Sequence, residues 1–330
     1  MRNLVLMGDS DNPWHNLAVE ALLFETLGVS NRVLYLWQNR NTVVIGRHQN
    51  AWKECRVKLL EDEGGRLARR SSGGGAVFHD LGNLNFSFVL PRSEYDVRRQ
   101  LEVVRRAVAR FGIGAQFTGR NDLVISGSGA KFSGNAFRFS GNTALHHGTI
   151  MVRVDTDRLV RYLAPDDGKL KAKGIDSVRA RVANLSDLNP EITIPLLTEA
   201  LREAFSGEYG PADALPVAAL DAGRLAALEA EYAAWDFRLG KALPFDATLE
   251  RRFNWGGVTL ELNLKGGRVA SARVYSDAMD EAMVSALAPA LADARYENKA
   301  LGAALRALGY PQADELAEWL ENTDLGGHRL

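Results

Sequence analysis

Apolar residues recur along the chain with two periods, which predict helices in some segments and strands in others. Asn12 can cap a helix and Pro13 fits its first turn, and the apolar residues of Trp14–Leu27 then recur at helical spacing. Leu84–Leu90 instead alternates as a strand does. Similar patterns predict further helices over Glu54–Asp62, Tyr95–Phe111, Asp157–Leu163, Ile194–Phe205 and Ala222–Trp235.

The predicted strands are short, and turns rather than helices join most of them. Runs of β-branched and aromatic residues predict strands over Leu4–Met7, Arg32–Trp37, Thr42–Gly46, Arg66–Arg69, Ala76–His79, Gln116–Thr118, Leu123–Ser126, Phe132–Arg138 and Thr149–Val154. Helices fall in separate blocks between them. This arrangement predicts an α+β fold with a mainly antiparallel sheet flanked by helices, not a doubly wound parallel sheet.

The pattern changes near Phe237–Glu250, where Pro244 and a loss of periodicity predict a linker. Beyond it the sequence predicts a small strand meander followed by three amphipathic segments. The strands are Arg252–Trp255, Val258–Leu264 and Val269–Tyr275, and the segments lie near Glu281–Ala294, Asn298–Leu308 and Ala313–Leu320. We therefore predict a catalytic domain over residues 1–243 and a smaller C-terminal α+β domain over residues 250–330.

Composition narrows the class of protein. A length of 330 residues suffices for two domains with sizeable cores, and a net charge of −1 gives no indication of a nucleic-acid or membrane-surface partner. No uncharged stretch approaches the ~18 apolar residues of a membrane span. Cys55 is the only cysteine, which excludes an internal disulfide framework. Together with a short N-terminal apolar run followed by aspartates, these features predict a cytoplasmic enzyme.

The segment RRSSGGGAVFHD, at residues 69–80, is the first candidate for chemistry. The glycines Gly73–Gly75 allow positive φ angles and close approach of a ligand, and successive backbone N–H groups can bind an anion. Arg69 and Arg70 add positive charge. A P-loop is excluded, because there a lysine and a helix start follow the glycines, whereas Ala76–Phe78 predicts a strand. From these residues alone, a basic hairpin turn and an anion-binding loop both remain open.

Three further motifs follow in a fixed order: GRNDL at residues 119–123, KFSG at 131–134 and HHGT at 146–149. With RRSSGGGAVFHDLGN before them, they closely resemble lipoate–protein ligase A, of the biotin/lipoate ligase superfamily, and the resemblance runs across nearly the whole chain. It implies ATP-dependent activation of free lipoate to lipoyl-AMP. It also implies transfer of the lipoyl group to a lysine of lipoyl domains in 2-oxoacid dehydrogenase E2 subunits and of the glycine cleavage H protein.

The same resemblance implies roles for individual residues. Lys131 would be the catalytic cation, since an ammonium can contact the lipoate carboxylate and the α-phosphate together. The implied ATP-binding residues are Arg70, Gly75, Ala76, Val77, Phe78, Asp122 and Lys131, and the implied lipoate-binding residues are Ser72, Gly74, His79, Lys131, Arg138 and His147. Leu17, Val44 and Phe78 would line a tunnel for the alkyl chain. Mg²⁺ would enter with ATP, and Asp122 would hold it, orient Lys131 or only form a turn.

Two groups of residues each allow two interpretations. Lys169, Lys173, Gly174, Arg179 and Arg181 lie in a basic segment of low apolar periodicity, which is typical of a solvated loop. The resemblance implies instead that this segment covers the adenylate. His79, His146 and His147 fit no standard zinc spacing, so positioning roles are favoured over a metal site.

Other functions remain open at this stage. An octanoyltransferase of the thiolate type is disfavoured because Cys55 lies outside every motif. A lipoyltransferase that uses a preformed activated acyl donor would keep the same pocket. A non-catalytic adenylate-binding module of the repressor type would be expected to add an N-terminal helix-turn-helix, and the motif domain begins almost at Met1. Biotin as substrate is disfavoured because that branch has another glycine-rich signature.

Overall fold

The structure is a computed structural model that describes residues 1–47, 49, 51–118, 122–163, 182–240, 246–276, 278 and 280–326. Internal contacts divide the chain into two compact units. The first comprises residues 1–47 and 64–233, and the second comprises residues 48–63 and 234–330. The division into a catalytic domain of residues 1–243 and an accessory domain of residues 250–330 stays a prediction.

The first unit holds strands β1 to β11 and five of the described helices. The strands are β1 (Asn3–Met7), β2 (Arg32–Trp37), β3 (Thr42–Ile45), β4 (Arg66–Arg69), β5 (Val77–His79), β6 (Asn83–Pro91), β7 (Ala115–Thr118), β8 (Asp122–Ile125), β9 (Lys131–Ser140), β10 (Thr143–Met151) and β11 (Asp213–Ala214). The helices are α1 (Pro13–Thr26), α4 (Val97–Ala109), α5 (Thr156–Tyr162), α6 (Ile194–Tyr209) and α7 (Ala222–Ala233). Helices α2 (Ala51–Glu54) and α3 (Val57–Asp62) belong to the second unit.

The large sheet has the order β11-β1-β2-β6-β10-β9-β8-β7. Strand β1 runs parallel to both of its neighbours, and the other pairs are antiparallel. A small sheet has the order β4-β3-β5, with β3 parallel to β4 and antiparallel to β5. The predicted α+β fold with a mainly antiparallel sheet is thereby confirmed.

The two faces of the large sheet differ in character, and this difference positions the site. On one face, Phe86 and Phe88 pack with Leu101 of α4 and Leu201 of α6 in the main hydrophobic core. On the other face the alternate residues of β6, including Asn85 and Ser87, are also buried although polar. Successive side chains of a strand point to opposite faces, so one strand serves both environments.

Three sequence predictions are corrected. The strand predicted over Thr149–Val154 is Thr143–Met151, because His146 and His147 are strand residues buried on opposite faces and their polarity hid the alternation. The helix predicted over Glu54–Asp62 is two short helices, α2 (Ala51–Glu54) and α3 (Val57–Asp62). The linker predicted to reach Glu250 ends earlier, since strand β12 begins at Asp246.

The second unit is a smaller α+β assembly. An antiparallel meander of β12 (Asp246–Phe253), β13 (Gly256–Lys265) and β14 (Arg268–Ser276) is followed by α8 (Glu281–Leu291), α9 (Asn298–Arg306) and α10 (Pro311–Asn322). Trp52 of α2 packs edge-on against Tyr296, with ring centroids 5.5 Å apart. No helix in the described part of the chain is both long and apolar enough to cross a membrane.

Candidate active site

A cavity of about 290 Å³ lies on the polar face of the large sheet, within the first unit. Its walls bring together residues from the glycine-rich segment and from all three downstream motifs. The lining residues are Leu17, Trp37, Val44, Arg70, Gly74, Gly75, Ala76, Val77, His79, Asn85, Asp122, Lys131, Gly134, Asn135, Ala136, His147, Gly148 and Thr149. Motifs that are separate in the sequence thus line one cavity in the fold.

Lys131 meets Asp122 at this surface. The Lys131 Nζ lies 2.8 Å from the Asp122 Oδ1, and the two side chains are 41% and 31% exposed. An irregularity in the pairing of β8 with β9 shifts the register, so that Asp122 lies opposite Gly134 while Lys131 lies opposite Val124. Such a bulge redirects a side chain. A Cβ at Gly134 would stand 2.8 Å from the Lys131 Nζ, so the glycine of KFSG leaves space for the lysine three residues before it.

The Arg70 guanidinium donates hydrogen bonds to the glycine-rich loop itself. Its guanidinium donates to the carbonyl oxygens of Val44 (3.2 Å), Gly73 (2.6 Å) and Gly75 (2.8 Å), and its Nε donates to the Ser72 Oγ (3.1 Å). The residue is only 7% exposed. Burial lowers the pKa of Arg70 to about 10, with the charge of Glu20 opposing the shift, so the group stays charged at neutral pH. Arg70 therefore fixes the shape of the loop.

The glycines of the loop have different roles. Gly74 has a φ of 92°, and a Cβ there would lie 2.9 Å from the Arg70 Nη2. A Cβ at Gly46 would lie 2.3 Å from the Gly74 carbonyl oxygen, so the loop packs directly on that backbone. A Cβ at Gly75 meets no atom within 4 Å. Gly74 and Gly46 are thus required by the packing of the chain, whereas Gly75 leaves open space beside the cavity.

His147 links the loop to helix α1. Its Nε2 lies 2.6 Å from the Ser72 Oγ, and its Nδ1 lies 2.8 Å from the Glu20 Oε2. The same carboxylate oxygen accepts from the Ser87 Oγ at 2.5 Å, and Ser87 in turn accepts from the Trp37 Nε1 at 3.1 Å. All five residues are buried. This continuous network holds one wall of the cavity in a single arrangement.

His79 occupies the wall near Trp37, with ring centroids 6.3 Å apart. Its Nδ1 lies 3.1 Å from the Asn39 Nδ2. Burial lowers the pKa of His79 to about 3, and the electrostatic influence of Arg70 and of His147 acts in the same direction. The ring is therefore neutral at neutral pH.

Three predicted residues that the structure describes, Ser72, Phe78 and Arg138, do not line the cavity. Ser72 is bound to His147 and Arg70, Phe78 is buried with its ring centroid 5.5 Å from that of Tyr162, and the Arg138 guanidinium lies 4.5 Å from the centre of the Phe24 ring. Their contacts with nucleotide or lipoate stay predictions. Lys169, Lys173, Gly174, Arg179 and Arg181 lie outside the described residues. Leu17 and Val44 do line the cavity, as the tunnel prediction requires.

The described residues could help to bind a metal ion only if phosphate oxygens of a ligand supplied most of its coordination. Among the described residues there is no group of three or more His, Cys, Asp or Glu side chains arranged to hold a metal ion. Among the described residues that line the cavity, Asp122 alone carries a carboxylate. Mg²⁺ commonly takes one or two carboxylates and completes its shell with phosphate oxygens and water, and Asp122 fits that pattern.

The sequence carried signals for two residues that the motifs missed. Glu20 is the only charged residue between Leu17 and Phe24, and a buried carboxylate within an apolar helix needs polar partners. Asn85 belongs to the series Asn83, Asn85 and Ser87, which alternates with apolar residues in β6. Because both faces of β6 are buried, this polar alternation marks the face that carries the site.

Comparison with known proteins finds lipoate ligase families over two segments of the chain. Residues 12–206 match the family described as lipoyl protein ligase A/B catalytic domain, and residues 242–321 match bacterial lipoate protein ligase C-terminus. P. falciparum LipL1, solved in complex with lipoate, is 27% identical with a TM-score of 0.63, over 97% of this chain and 100% of that chain. The bipartite lipoate protein ligase of Thermoplasma acidophilum, studied with its E2 lipoyl domain, is 27% identical with a TM-score of 0.64, over 73% and 97%. A lipoate-protein ligase A bound with ATP is 25% identical with a TM-score of 0.62, over 73% and 100%.

Proposed function

Because the chain belongs to the lipoyl protein ligase A/B catalytic domain family, we propose that it activates free lipoate with ATP and transfers the lipoyl group to a protein lysine. The observation that carries this proposal is the position of Lys131, a cation at the wall of a cavity that also has apolar lining and a glycine-rich backbone. Structures of relatives with lipoate and with ATP support it.

Activation requires two anions to react. A carboxylate oxygen of lipoate attacks the α-phosphorus of ATP, which forms lipoyl-AMP and releases pyrophosphate. The Lys131 ammonium would contact the carboxylate and an α-phosphate oxygen, exchanging its Asp122 partner for the ligands. A fixed cation stabilises the charge that develops in the transition state without reorganisation of solvent. In the second step the acceptor lysine amine attacks the acyl carbon, and AMP leaves.

The nucleotide would lie against the backbone of Gly75–Phe78, and Mg²⁺ would enter with its phosphates, with Asp122 as the neighbouring carboxylate. The Arg70 guanidinium would act by holding the loop in shape. Acceptors would be lipoyl domains of 2-oxoacid dehydrogenase E2 subunits and the glycine cleavage H protein. A relative studied together with its E2 lipoyl domain supports that class of partner.

A covalent thiol route has no support from Cys55. That side chain is fully buried, and burial raises the pKa of its thiol strongly, with the charges of Glu61 and Asp324 acting in the same direction. A buried neutral thiol is a poor nucleophile. Cys55 is also absent from the lining residues of the cavity.

The test is pyrophosphate release by the purified protein with ATP and free lipoate, without acceptor and then with a purified lipoyl domain followed by mass spectrometry. The proposal expects pyrophosphate in both reactions and a lipoylated domain in the second. A transferase would give no pyrophosphate from free lipoate but would acylate the domain from synthetic lipoyl-AMP. A binding module would give neither product, and either outcome would overturn the proposal.

A further inference from the structure

Strand β9 separates from its neighbour β10 close to Lys131. The pairing of the two strands starts beside the hairpin turn and ends at Asn135 and Gly148. At the following position, the Gly134 N–H donates to the side-chain Oγ1 of Thr149 at 3.3 Å. Strand β10 stays paired with β6 as far as its last residue. Over these residues, all of which the structure describes, the start of β9 that carries Lys131 therefore lacks a β10 partner.

A bridging segment, residues 182–186, connects the two separated strands. It begins with a parallel β-bridge to Lys131, and the Ala183 N–H donates to the Lys131 carbonyl oxygen at 2.9 Å. Further along, the Ser186 N–H donates to the carbonyl oxygen of Val152, the residue directly after β10, at 3.0 Å. Since Lys131 also pairs with β8, its backbone is held between β8 and the bridging segment.

Asn184 fixes the bridging segment to the chain that follows β10. Its Oδ1 accepts from the Val154 N–H at 2.8 Å, and its Nδ2 donates to the Val154 carbonyl oxygen at 3.0 Å. The amide thus pairs both polar groups of one backbone residue, as a neighbouring strand would. Because Ala183 directly precedes Asn184, these two hydrogen bonds determine where the Ala183 N–H meets the Lys131 carbonyl.

The position of the Lys131 backbone in turn decides where its ammonium lies. The Nζ is 2.8 Å from the Asp122 Oδ1, in the space that Gly134 leaves by having no Cβ. None of residues 182–186, all of which the structure describes, lines the cavity. Asn184 is therefore placed to act on the reaction through Lys131 and not by contact with a ligand.

We propose that Asn184 is a positioning residue for adenylation: it holds the bridging segment on Val154, and the segment holds Lys131 through the Ala183 N–H. This inference rests on the proposed function, in which the Lys131 ammonium contacts both reacting anions. A misplacement of ~1 Å at a reacting centre can lower a rate by about 10²-fold. Loss of alignment weakens the transition state more than the bound substrates, so Asn184 should affect kcat more than KM.

The first experiment measures pyrophosphate release by Asn184→Ala with ATP and lipoate. The proposal expects kcat to fall by a factor of about 10 to 100, with KM for both substrates within about twofold of the wild-type value. Asn184→Asp keeps the size of the side chain and loses only the donor, so kcat should fall in this variant also. Unchanged kcat in both variants would overturn the proposal.

Asn189→Ala is the matched control. Asn189 is another half-buried amide in the same part of the chain, and it donates to the Phe111 carbonyl oxygen at 3.0 Å and accepts from the Glu191 N–H at 2.9 Å. Neither side-chain bond involves the bridging segment, so this variant should keep kcat. An equal fall of kcat in the control and in Asn184→Ala would show a general effect on the fold and contradict the positioning role.

The second experiment tests whether Asn184 acts through Lys131. In a Lys131→Ala background the group to be positioned is absent, so adding Asn184→Ala should change the residual rate less than twofold. Independent effects multiply, whereas coupled ones do not. The same factor in both backgrounds would overturn the proposal.

Hydrogen exchange of the Ala183 amide gives a readout that does not need activity. It should be faster in Asn184→Ala than in the wild type and unchanged in Asn189→Ala, because only the first variant releases the bridging segment. Equal exchange in all three proteins would contradict the hold of Asn184 on Ala183. Absence of adenylation by the wild-type protein, with exchange that responds to Asn184, would instead contradict the proposed function.

Discussion

Lys131 and Arg70 are two cations on the wall of one cavity, and their surroundings are opposite. Arg70 is buried and donates to three backbone carbonyls and a serine hydroxyl. Lys131 is 41% exposed and contacts one carboxylate, that of Asp122. The guanidinium presents a planar fork that suits several fixed acceptors, whereas the ammonium is a compact point charge that can exchange one partner for another. Arg70 is thus held by the loop, and we infer from the difference that Lys131 is the cation that acts on the ligands in the proposed reaction.

The two cations differ in what they contribute: Arg70 contributes to stability, and Lys131 is the one we propose takes part in the reaction. Arg70 cannot turn toward a phosphate without leaving the carbonyls of Val44, Gly73 and Gly75 unpaired, and buried unpaired carbonyls are unfavourable. Lys131 loses little when it leaves Asp122, because a half-exposed ion pair contributes at most about 1 kcal/mol. Each cation is suited to one task.

The largest effect is expected from Lys131→Ala. Removal of this cation should lower the rate of adenylation by a factor of about 10²–10³, since the loss of a single preorganised group at a developing charge has that order of effect. The thermal midpoint should stay within a few degrees of the wild-type value, because the ion pair with Asp122 is partly exposed. Pyrophosphate release and calorimetry on the same preparation measure both quantities.

Lys58→Ala is the matched control for that experiment. Lys58 is 29% exposed and lies 2.6 Å from Asp62, so it has a similar ion pair but no place in the cavity. The control should keep both rate and stability. Near-normal adenylation by the Lys131 variant, at unchanged stability, would show that the two cations do not divide the tasks in this way.

The next effect concerns Arg70→Ala, which should lower the free energy of unfolding by about 2–4 kcal/mol because several buried carbonyls lose their donor together. Arg70→Lys should recover only part of this loss, since an ammonium cannot reproduce the fork. Denaturant unfolding measures the change. Arg105→Ala is the control, because that arginine pairs with Glu102 at the surface of α4. A loss of stability no larger than that of the control would show that Arg70 does not stabilise the loop in this way.

The sequence predicted most of the fold because local signals agree with tertiary packing there. Asn12 caps α1 through the Trp14 N–H as its position before Pro13 predicts, and strands β2 and β4 have the predicted bounds. The strand β10 was misplaced because His146 and His147 are buried on both faces, and a polar pair is then indistinguishable from a loop. Period-based reasoning fails where polar groups satisfy each other inside the protein.

The site was predicted as a set of residues but not as a division of roles. The order of motifs identified Lys131, Asp122 and the glycine-rich loop, and these meet in one cavity. The hold of the loop on Arg70 depends on carbonyl oxygens, which every residue carries and no motif records. Glu20 is remote from every motif in sequence and reaches His147 only through the packing of α1 on the sheet.

The smallest effect concerns the buried histidines, which should make the free energy of unfolding depend on pH under mildly acidic conditions. His146 is fully buried between the Gln100 Oε1 at 2.8 Å and the Asn135 Oδ1 at 3.0 Å. Burial lowers its pKa to about 3, and the electrostatic influence of His147 acts in the same direction. The unfolded chain binds a proton near pH 6.5 and the folded chain does not, so stability is complete above that pH and is lost as the pH falls toward the folded pKa.

Between about pH 7 and pH 5.5, His146 should therefore lower the free energy of unfolding by about 1 kcal/mol, and His79, whose pKa is also lowered to about 3, should contribute a similar loss. His146→Phe should remove roughly half of this pH dependence, because phenylalanine has no proton to gain and the site already packs against Phe86 and Phe137. Urea unfolding at the two pH values, in the wild type and the variant, measures the difference. The variant loses the hydrogen bonding of the ring and should be less stable at pH 7, so the comparison uses only the change with pH. An equal change in both proteins would mean that His146 takes up its proton in the folded state, and that burial does not hold the ring neutral.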